Sequence, residues 1–296
     1  MSLVQESILM QEMPFHMIMN SLMSHDEHIP SKGMYDHDIT SIIPQIILAL
    51  PFVMVLVLYI VAVAATNRKY KRWPSIRTAC WVTGCLLAIG SVIGPLAEQG
   101  FVDFRAHMVG HLLLGMLAPL LIALAAPLTL LLRSLSVPLA RRLAALLRSR
   151  LAQWLTHPII TALLNIGGLW YLYTTNLYIL MHEHTVLHIF IHAHVFIAGY
   201  LFTVSIIYID PMSHRTSYFT RAIILIVALA AHGILSKIIY AFPPTGVPAD
   251  QAERGGMLMY YGGDLIDILL IFILCLQWYR AARPRLNKKA KEFSHP

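Results

Sequence analysis

The sequence predicts an all-α integral membrane protein with seven transmembrane helices, an external N-terminus and a cytoplasmic C-terminus. Composition is the first reason, because 57% of the 296 residues are hydrophobic and only 12% are charged, with a mean hydropathy of +0.66. Ordinary soluble domains carry about a quarter charged residues. The second reason is a set of seven apolar runs of about the 20 residues that one helix needs to cross a bilayer. These runs lie near 44–65, 77–97, 107–132, 157–180, 186–209, 219–241 and 257–279.

The third reason is the distribution of basic residues along the chain. Eighteen of the 22 Lys and Arg residues fall in or next to the segments between spans 1 and 2, between spans 3 and 4 and between spans 5 and 6, or after span 7. Basic residues concentrate in cytoplasmic loops, so these segments are expected to face the cytoplasm. The net charge of +7 then reports topology rather than a nucleic-acid surface. We expect a multi-pass protein of a bacterial inner (plasma) membrane, in contact with lipid.

The runs divide the chain into three parts. An extracytoplasmic Met/His-rich tail covers 1–43, the seven-helix membrane domain covers 44–280, and a basic cytoplasmic tail covers 281–296. Residues 1–40 contain no apolar stretch of the kind that a signal peptide requires. Thioether and imidazole groups together form a soft ligand set that prefers copper. The candidate ligands of the N-terminal tail are Met13, His16, Met17, Met19, Met23, His25 and His28.

Small residues and prolines predict how the spans pack. Gly90 and Gly94 form a small-xxx-small pair, which lets another helix approach span 2 closely. Pro119 and Pro127 predict a kink in span 3. The three cysteines form no metal or redox motif, and we interpret them as small packing residues.

Histidines are concentrated at the outer ends of the predicted spans. Residues four apart lie on one face of a helix, so His107 and His111 project together from span 3, as His188 and His192 do from span 5. Ionisable side chains are costly in a bilayer and usually mark a functional site. Four helices that present imidazole and carboxylate at one depth resemble the metal sites of bundle cores. The candidate metal ligands are His107, His111, His184, His188, His192, His194, His232 and Asp264.

The donor types narrow the choice of metal. Neutral imidazoles without thiolate accept Cu(II), Zn(II) or Cu(I), and the Met-rich tail favours copper. Asp264 and Asp267 are three residues apart and therefore close to one face of span 7. Asp264 is expected either to ligate the metal or to orient a histidine ligand. Copper is the expected cofactor, ahead of zinc and then heme.

Several stretches resemble a known family. The segment HMVGHLLLGMLAPLLIALAAPLTLLLR (107–133) is similar to the signature of the polytopic CtaG family of cytochrome c oxidase assembly factors, associated with caa-type oxidases. HIFIHAHVFIAGYLF (188–202), DP (210–211) and AHGIL (231–235) agree with it, and the resemblance covers about 45–280. It implies a role in assembling the binuclear copper–heme centre of a terminal oxidase by handling copper. It implies functional roles for His107, His111, His188, His192, His194 and His232.

The resemblance also implies partners, namely heme–copper oxidase subunits or a periplasmic copper chaperone. Two other functions stay open at this point. A copper or zinc permease would need polar groups along a path across the bilayer, and the cytoplasmic halves of the spans offer few. A heme-binding redox protein would need two axial ligands, and the histidines exceed that number at one end. No nucleophile and base form a catalytic pair, so the sequence does not predict an enzyme.

Overall fold

The structure is a computed structural model that describes residues 39–211 and 215–283, and these ranges contain helices and no strands. The chain divides into two units, 1–42 and 43–296, and only the beginning of the first helix is described for the former. The helices are α1 (Ile39–Lys69), α2 (Ser75–Val92), α3 (Pro95–Gly100), α4 (Phe104–Leu112), α5 (Ala118–Leu124), α6 (Pro127–Ser134), α7 (Val137–Leu147), α8 (Arg150–Leu155), α9 (Pro158–Ala162), α10 (Gly168–Thr174), α11 (Leu177–Glu183), α12 (Thr185–Ile206), α13 (Tyr218–Ala241) and α14 (Ala249–Ala282). Two π-helical segments, π1 (Leu113–Leu117) and π2 (Leu163–Gly167), join α4 to α5 and α9 to α10.

Six helices of the described chain are long and apolar enough to cross a membrane. They are Ile42–Lys69, Ser75–Val92, Phe104–Leu124, Thr185–Ile206, Tyr218–Ala241 and Ala249–Ala282. The fourth apolar run of the sequence forms α9, π2 and α10, which are only 5, 5 and 7 residues long before the chain turns after Thr174. That path is shorter than the usual span of about 20 residues and lies at the lower limit of about 17 residues for a crossing. An all-helical membrane protein is therefore confirmed, whereas the count of seven spans and the orientation of the termini stay predictions.

The third span is interrupted twice, as its prolines predict. Pro119 has no N–H to donate to the carbonyl of Gly115, and the widened π1 turn lies immediately before α5. After α5 the chain passes through Ala126 in the left-handed region (φ 53°), and Pro127 then begins α6. Proline suits the first turn of a helix because no intrahelical partner is lost there. The span thus ends at Leu124 and α6 begins in a new direction.

Asp210, in the loop after α12, holds α6 in this new direction. Its carboxylate accepts hydrogen bonds from the backbone N–H groups of Leu128 (3.0 Å) and Thr129 (2.8 Å), and from the Thr129 hydroxyl. The first N–H groups of a helix lack intrahelical partners and favour a negative charge. The Asp-Pro pair at 210–211 therefore has a structural role, since it ties the end of α12 to the start of α6.

The prediction that Gly90 and Gly94 are the close-packing glycines of span 2 is wrong. A Cβ on Gly90 would meet nothing within 4 Å, and Gly94 lies beyond α2 with φ +88°. The close approach is made by Gly84, where a Cβ would lie 2.9 Å from Ile122 and 3.2 Å from the Ala118 carbonyl. The sequence alone does not show which glycine contacts another helix, because the tertiary fold determines which helices are neighbours.

The packing of α4, α11, α12, α13 and α14 positions the polar residues. A buried cluster at one end of the bundle joins α4 to α10, α11, α13 and α14, and it includes Phe104, Met108, Tyr173, Tyr178 and Met259. Next to it, α12 packs on π1 so closely that a Cβ on Gly199 would collide with the Gly115 carbonyl. Large apolar side chains such as Ile226 and Leu265 are exposed on the outer surface, as a lipid-facing surface requires.

Candidate metal centre

Five histidines line one cavity, which we call the His188 cavity. They are His107 and His111 of α4, His182 of α11, and His188 and His192 of α12. The cavity encloses about 640 Å³ of empty space up to its open side, and Tyr173 and Phe101 also line it. The ring centres of His188 and His192 are 4.1 Å apart. The ring of His107 lies 6.5 Å from that of His192 and 6.3 Å from that of His182.

The start of α4 positions the first histidine pair. Asp103 is the N-cap and accepts a hydrogen bond from the Arg105 N–H at 2.8 Å, while the Phe104 N–H donates to Gln251 of α14 at 2.9 Å. Asp103 also pairs with the Arg105 guanidinium at 2.6 Å, and this pair lowers the pKa of Asp103. A charged N-cap stabilises the first turn of a helix. With α4 anchored at both its cap and α14, His107 lies one turn inside the helix.

Two histidines of the cavity have a defined tautomer. The Nδ1 of His192 lies 2.9 Å from the His188 carbonyl, and the Nδ1 of His182 lies 2.9 Å from the Tyr178 carbonyl. A carbonyl oxygen only accepts, so Nδ1 carries the proton in both rings. The lone pair is then on Nε2, which is the form in which imidazole binds a metal.

His107 and His188 are held by aromatic neighbours. Nε2 of His107 is hydrogen-bonded to the Tyr173 hydroxyl at 3.0 Å. The His188 ring stacks on Phe101 with 4.9 Å between centres and 15° between planes. These contacts fix ring orientation without using every ring nitrogen.

Three buried ring nitrogens have no hydrogen-bond partner among the described residues: His188 Nδ1, His111 Nε2 and His232 Nε2. Buried polar atoms are normally satisfied, and an unpaired one costs about 1–3 kcal/mol. Three such atoms around neighbouring cavities are therefore a specific feature of this end of the bundle. A ligand that accepts the lone pair of an imidazole nitrogen would satisfy them.

A second cavity, which we call the His232 cavity, lies on the other side of His111. It encloses about 520 Å³ of empty space and is lined by His111, His232 of α13 and Asp267 of α14, together with Asn165 of π2. The rings of His111 and His232 are 6.3 Å apart and 27° from parallel. His111 is thus common to the linings of both cavities.

The structure brings some of the sequence-predicted ligands together and separates others. His107, His111, His188 and His192 share the His188 cavity, and His232 lies in the adjoining cavity. The remaining three described candidates line neither. His184 is exposed immediately before α12, Asp264 is exposed on α14, and Nε2 of His194 bonds the Leu164 carbonyl at 3.1 Å. The tail candidates Met13, His16, Met17, Met19, Met23, His25 and His28 lie outside the described residues.

Sequence reasoning missed two residues of these cavities. His182 precedes the reversal between α11 and α12, so the helical spacing counted from span 5 did not include it. Asp267 is buried, whereas Asp264 is not. A signal for Asp267 exists in the sequence, since it follows Gly263 by one turn, and a Cβ on Gly263 would lie 2.6 Å from the His232 ring. Glycine on a helix face marks close packing, and that face is the buried one.

The side chains of these cavities are of the types that transition metals prefer, but they do not surround one common point. Across residues 39–211 and 215–283, no three His, Cys, Asp or Glu side chains stand in an arrangement that could already hold a metal ion. A zinc-sized ion needs each ligand nitrogen at about 2.0–2.1 Å, so the ring nitrogens, and not only the ring centres, must converge on one point. Binding would require rotation of the imidazoles toward a common point. Among the described residues, rotation of His111 or His188 breaks no hydrogen bond of the ring. Rotation of His107, His182 or His192 would break the one hydrogen bond that each of these rings makes.

Comparison with known proteins finds relatives in mycobacteria and a family whose model matches the chain. An uncharacterized protein of Mycobacterium leprae is 28% identical over 249 residues, which is 75% of this chain and 37% of that protein. Uncharacterized proteins of Mycobacterium bovis and Mycobacterium tuberculosis are each 30% identical over 252 residues, or 76% of this chain and 37% of theirs. The chain therefore spans little more than a third of the length of these relatives. No solved structure matches it.

The family model of the cytochrome c oxidase caa3 assembly factors (Caa3_CtaG) matches residues 57–281. That range includes all the described histidines of both cavities and the Asp210 cap. The match agrees with the resemblance carried by the His-x3-His segment of α4 and by α12. The chain belongs to the Caa3_CtaG family of cytochrome c oxidase assembly factors.

Proposed function

We propose that this assembly factor binds copper in the His188 cavity and supplies it to a heme–copper oxidase during assembly of the oxidase. The observation that carries the proposal is the group of buried imidazole nitrogens without partners in a cavity lined by five histidines. A cavity built only for packing would satisfy those nitrogens or replace the histidines with apolar residues. The role is that of an assembly factor without catalysis.

The ligand chemistry supports copper over harder cations. Imidazole suits copper and zinc, and the cavity lining contains no carboxylate, which calcium or magnesium would need. Of the described cysteines, Cys85 is buried against the Ala125 and Ala126 turn, and none of the three lines this cavity. Copper held by neutral imidazoles alone is released more readily than copper held by thiolates, which suits a protein that passes copper on. The Met/His-rich N-terminal tail is proposed to add soft ligands at the same membrane face.

The topology that fits this role has the N-terminus and the His188 cavity on the outer face of the plasma membrane. The basic segments between spans then face the cytoplasm. In this arrangement copper is received from, and delivered to, the extracytoplasmic side. The proposed partners are oxidase subunits and a periplasmic copper chaperone. Seven membrane crossings, with α9, π2 and α10 as a short fourth crossing, satisfy this orientation.

The test is a copper titration of the purified full-length protein in detergent. A chromophoric Cu(I) chelator competes with the protein, and the copper retained is measured by elemental analysis. The double variant His188→Gln/His192→Gln removes two ligands and is expected to lower copper affinity at least tenfold, which is about the smallest effect of disturbing a ligand shell. His194→Gln is the matched control, because this neighbouring residue of α12 lines neither cavity.

The two variants share a helix, a residue type and nearly the same depth, so a general loss of folding would affect both. The N-terminal tail is present in all three proteins, so any copper that it binds adds equally to each measurement. Equal copper affinity in the double variant and the wild type would refute the His188 cavity as the copper site. Preference for Zn(II) over both copper states in the same titration would change the metal and keep the site.

A further inference from the structure

The His232 cavity contains a donor set of its own. Its lining presents two imidazoles, from His111 and His232, and one carboxylate, from Asp267. All three side chains are buried, with 7%, 5% and 7% of their surface exposed. The three come from different helices, α4, α13 and α14, so their convergence is a product of the tertiary fold.

The two imidazoles are not hydrogen-bonded to each other. Their rings are 6.3 Å apart, and Nε2 of each ring is buried without a hydrogen-bond partner. Two neutral imidazoles in direct contact would instead share a proton between a donor and an acceptor nitrogen. The Ser236 hydroxyl donates to the His232 backbone carbonyl, so it does not engage the ring. The unpaired nitrogens are therefore open to a cation.

Asp267 adds the charge that a cation would neutralise. The cavity lining contains no Lys or Arg. A carboxyl group buried in a membrane bundle is costly and usually has a function. Two imidazole nitrogens and one carboxylate oxygen are a ligand set that Zn(II) and Cu(II) accept. The exposed Asp264, one turn earlier on α14, is not part of this lining.

We propose that His111, His232 and Asp267 form a second metal position, separate from the His188 cavity and connected to it through the shared His111. The proposal rests on the proposed function, since it takes the same metal as its ligand. Copper bound among His107, His188 and His192 would reach the second position by exchange at the His111 imidazole. The protein would then hold two copper ions, with one histidine able to bind either.

The experiment measures how many Cu(II) ions the full-length protein retains and what ligands they have. Wild type, Asp267→Asn, His232→Gln and the double variant His188→Gln/His192→Gln are loaded with excess Cu(II) and desalted. Copper per protein is then measured by elemental analysis, and the ligand nitrogens are counted from the electron paramagnetic resonance spectrum. Asp264→Asn is the matched control, because it removes the same charge from the same helix at an exposed position.

We expect Asp267→Asn and His232→Gln each to lose about one copper per protein relative to wild type, and Asp264→Asn to lose none. The double variant is expected to lose a different copper and to keep the spectrum of the one that depends on Asp267. Asn is isosteric with Asp, and a thermal melt shows whether each variant is folded. If both substitutions, which lie on different helices, remove the same copper from a folded protein, the cause is loss of a ligand rather than misfolding.

The possible results separate failure of this inference from failure of the proposed function. If Asp267→Asn and His232→Gln retain as much copper as wild type while the double variant loses copper, the His188 cavity is the sole site and the second position does not exist. If the double variant retains its copper while Asp267→Asn loses it, the proposed function of the His188 cavity fails and the second position stands. If no variant loses copper, both proposals fail.

Discussion

At the scale of single residues, the hydrogen bonds of the histidines show which ring nitrogen is already engaged. Nδ1 of His192 is hydrogen-bonded to a backbone carbonyl, whereas in His194 it is Nε2 that bonds the Leu164 carbonyl. The two residues are only two positions apart, and the helical pattern alone treated both as ligands. Which nitrogen is free depends on the neighbouring backbone, so the distinction needed the structure.

Tyr173→Phe is expected to weaken copper binding without removing a ligand. The Tyr173 hydroxyl is hydrogen-bonded to Nε2 of His107 and fixes the orientation of that ring. Loss of an orienting partner lowers metal affinity by about 10–100-fold. The chelator competition assay measures this change, and Tyr171→Phe serves as the control because Tyr171 is exposed. Unchanged affinity in Tyr173→Phe would show that His107 is not a ligand.

Asp210→Ala is expected to destabilise the protein by about 1–2 kcal/mol, the upper range for losing a helix cap. Asp210 is the acceptor for the first N–H groups of α6, and its removal leaves them without a partner. Thermal unfolding in detergent measures the loss. Asp264→Ala, an exposed position, is expected to unfold at the wild-type temperature. A variant at 210 with wild-type stability would mean that water replaces the cap at no cost.

At the scale of helices, the interruptions of the chain matter as much as the helices themselves. Segment π1 follows His111 directly, and α12 packs against it through Gly199. π-Helical turns inside α-helices are rare and occur often at functional sites. Here the widened turn and the absence of a side chain let α12 approach π1 and bring His188 and His192 toward His107.

Gly199→Ala and Gly90→Ala test this packing as a pair. A Cβ at position 199 would collide with the Gly115 carbonyl, so α12 must move, at a cost of about 1–3 kcal/mol. A Cβ at position 90 meets nothing within 4 Å, and alanine there is expected to be neutral or stabilising by up to about 1 kcal/mol. Thermal unfolding compares the two, and copper affinity should fall only in Gly199→Ala. Equal effects at both positions would contradict the close contact.

At the scale of the whole molecule, the fold places the histidines of the two cavities side by side. The His188 and His232 cavities adjoin through His111, whereas α1, α13 and α14 carry many exposed apolar side chains. The Caa3_CtaG family to which the chain belongs consists of cytochrome c oxidase assembly factors.

Deletion of the gene is expected to lower the activity and copper content of a heme–copper oxidase in the host bacterium, most strongly when copper is scarce. Abundant copper should restore part of the activity, because a supply step is bypassed when its product is plentiful. Oxidase turnover and copper in the isolated oxidase measure both effects across a range of copper concentrations. An expressed His188→Gln/His192→Gln protein should behave as the deletion does, and His194→Gln as the wild type. A deletion strain whose oxidase keeps its copper at every concentration would rule out the supply role.

The sequence by itself determined the class of the protein and which histidines of α4 and of α12 share a helix face. Apolar runs of membrane length require helices, because backbone polar groups have no water to bond within a bilayer. The i, i+4 spacing of His107 with His111 and of His188 with His192 requires each pair to share a face. The family signature in α4 and α12 could also be read directly, and the family match confirms it.

Only the tertiary structure decided which of the remaining polar residues face a cavity. The reversal at His184 exposes that residue and brings His182 inward, and the rotation of α14 buries Asp267 rather than Asp264. The turn of the chain after Thr174 divides the fourth apolar run, and hydropathy alone did not show this division. A one-dimensional pattern specifies spacing along a helix, whereas the orientation of a face depends on packing against helices that are distant in the chain. Those packing contacts decide which polar residue of a helix lines a cavity and which is exposed at the surface.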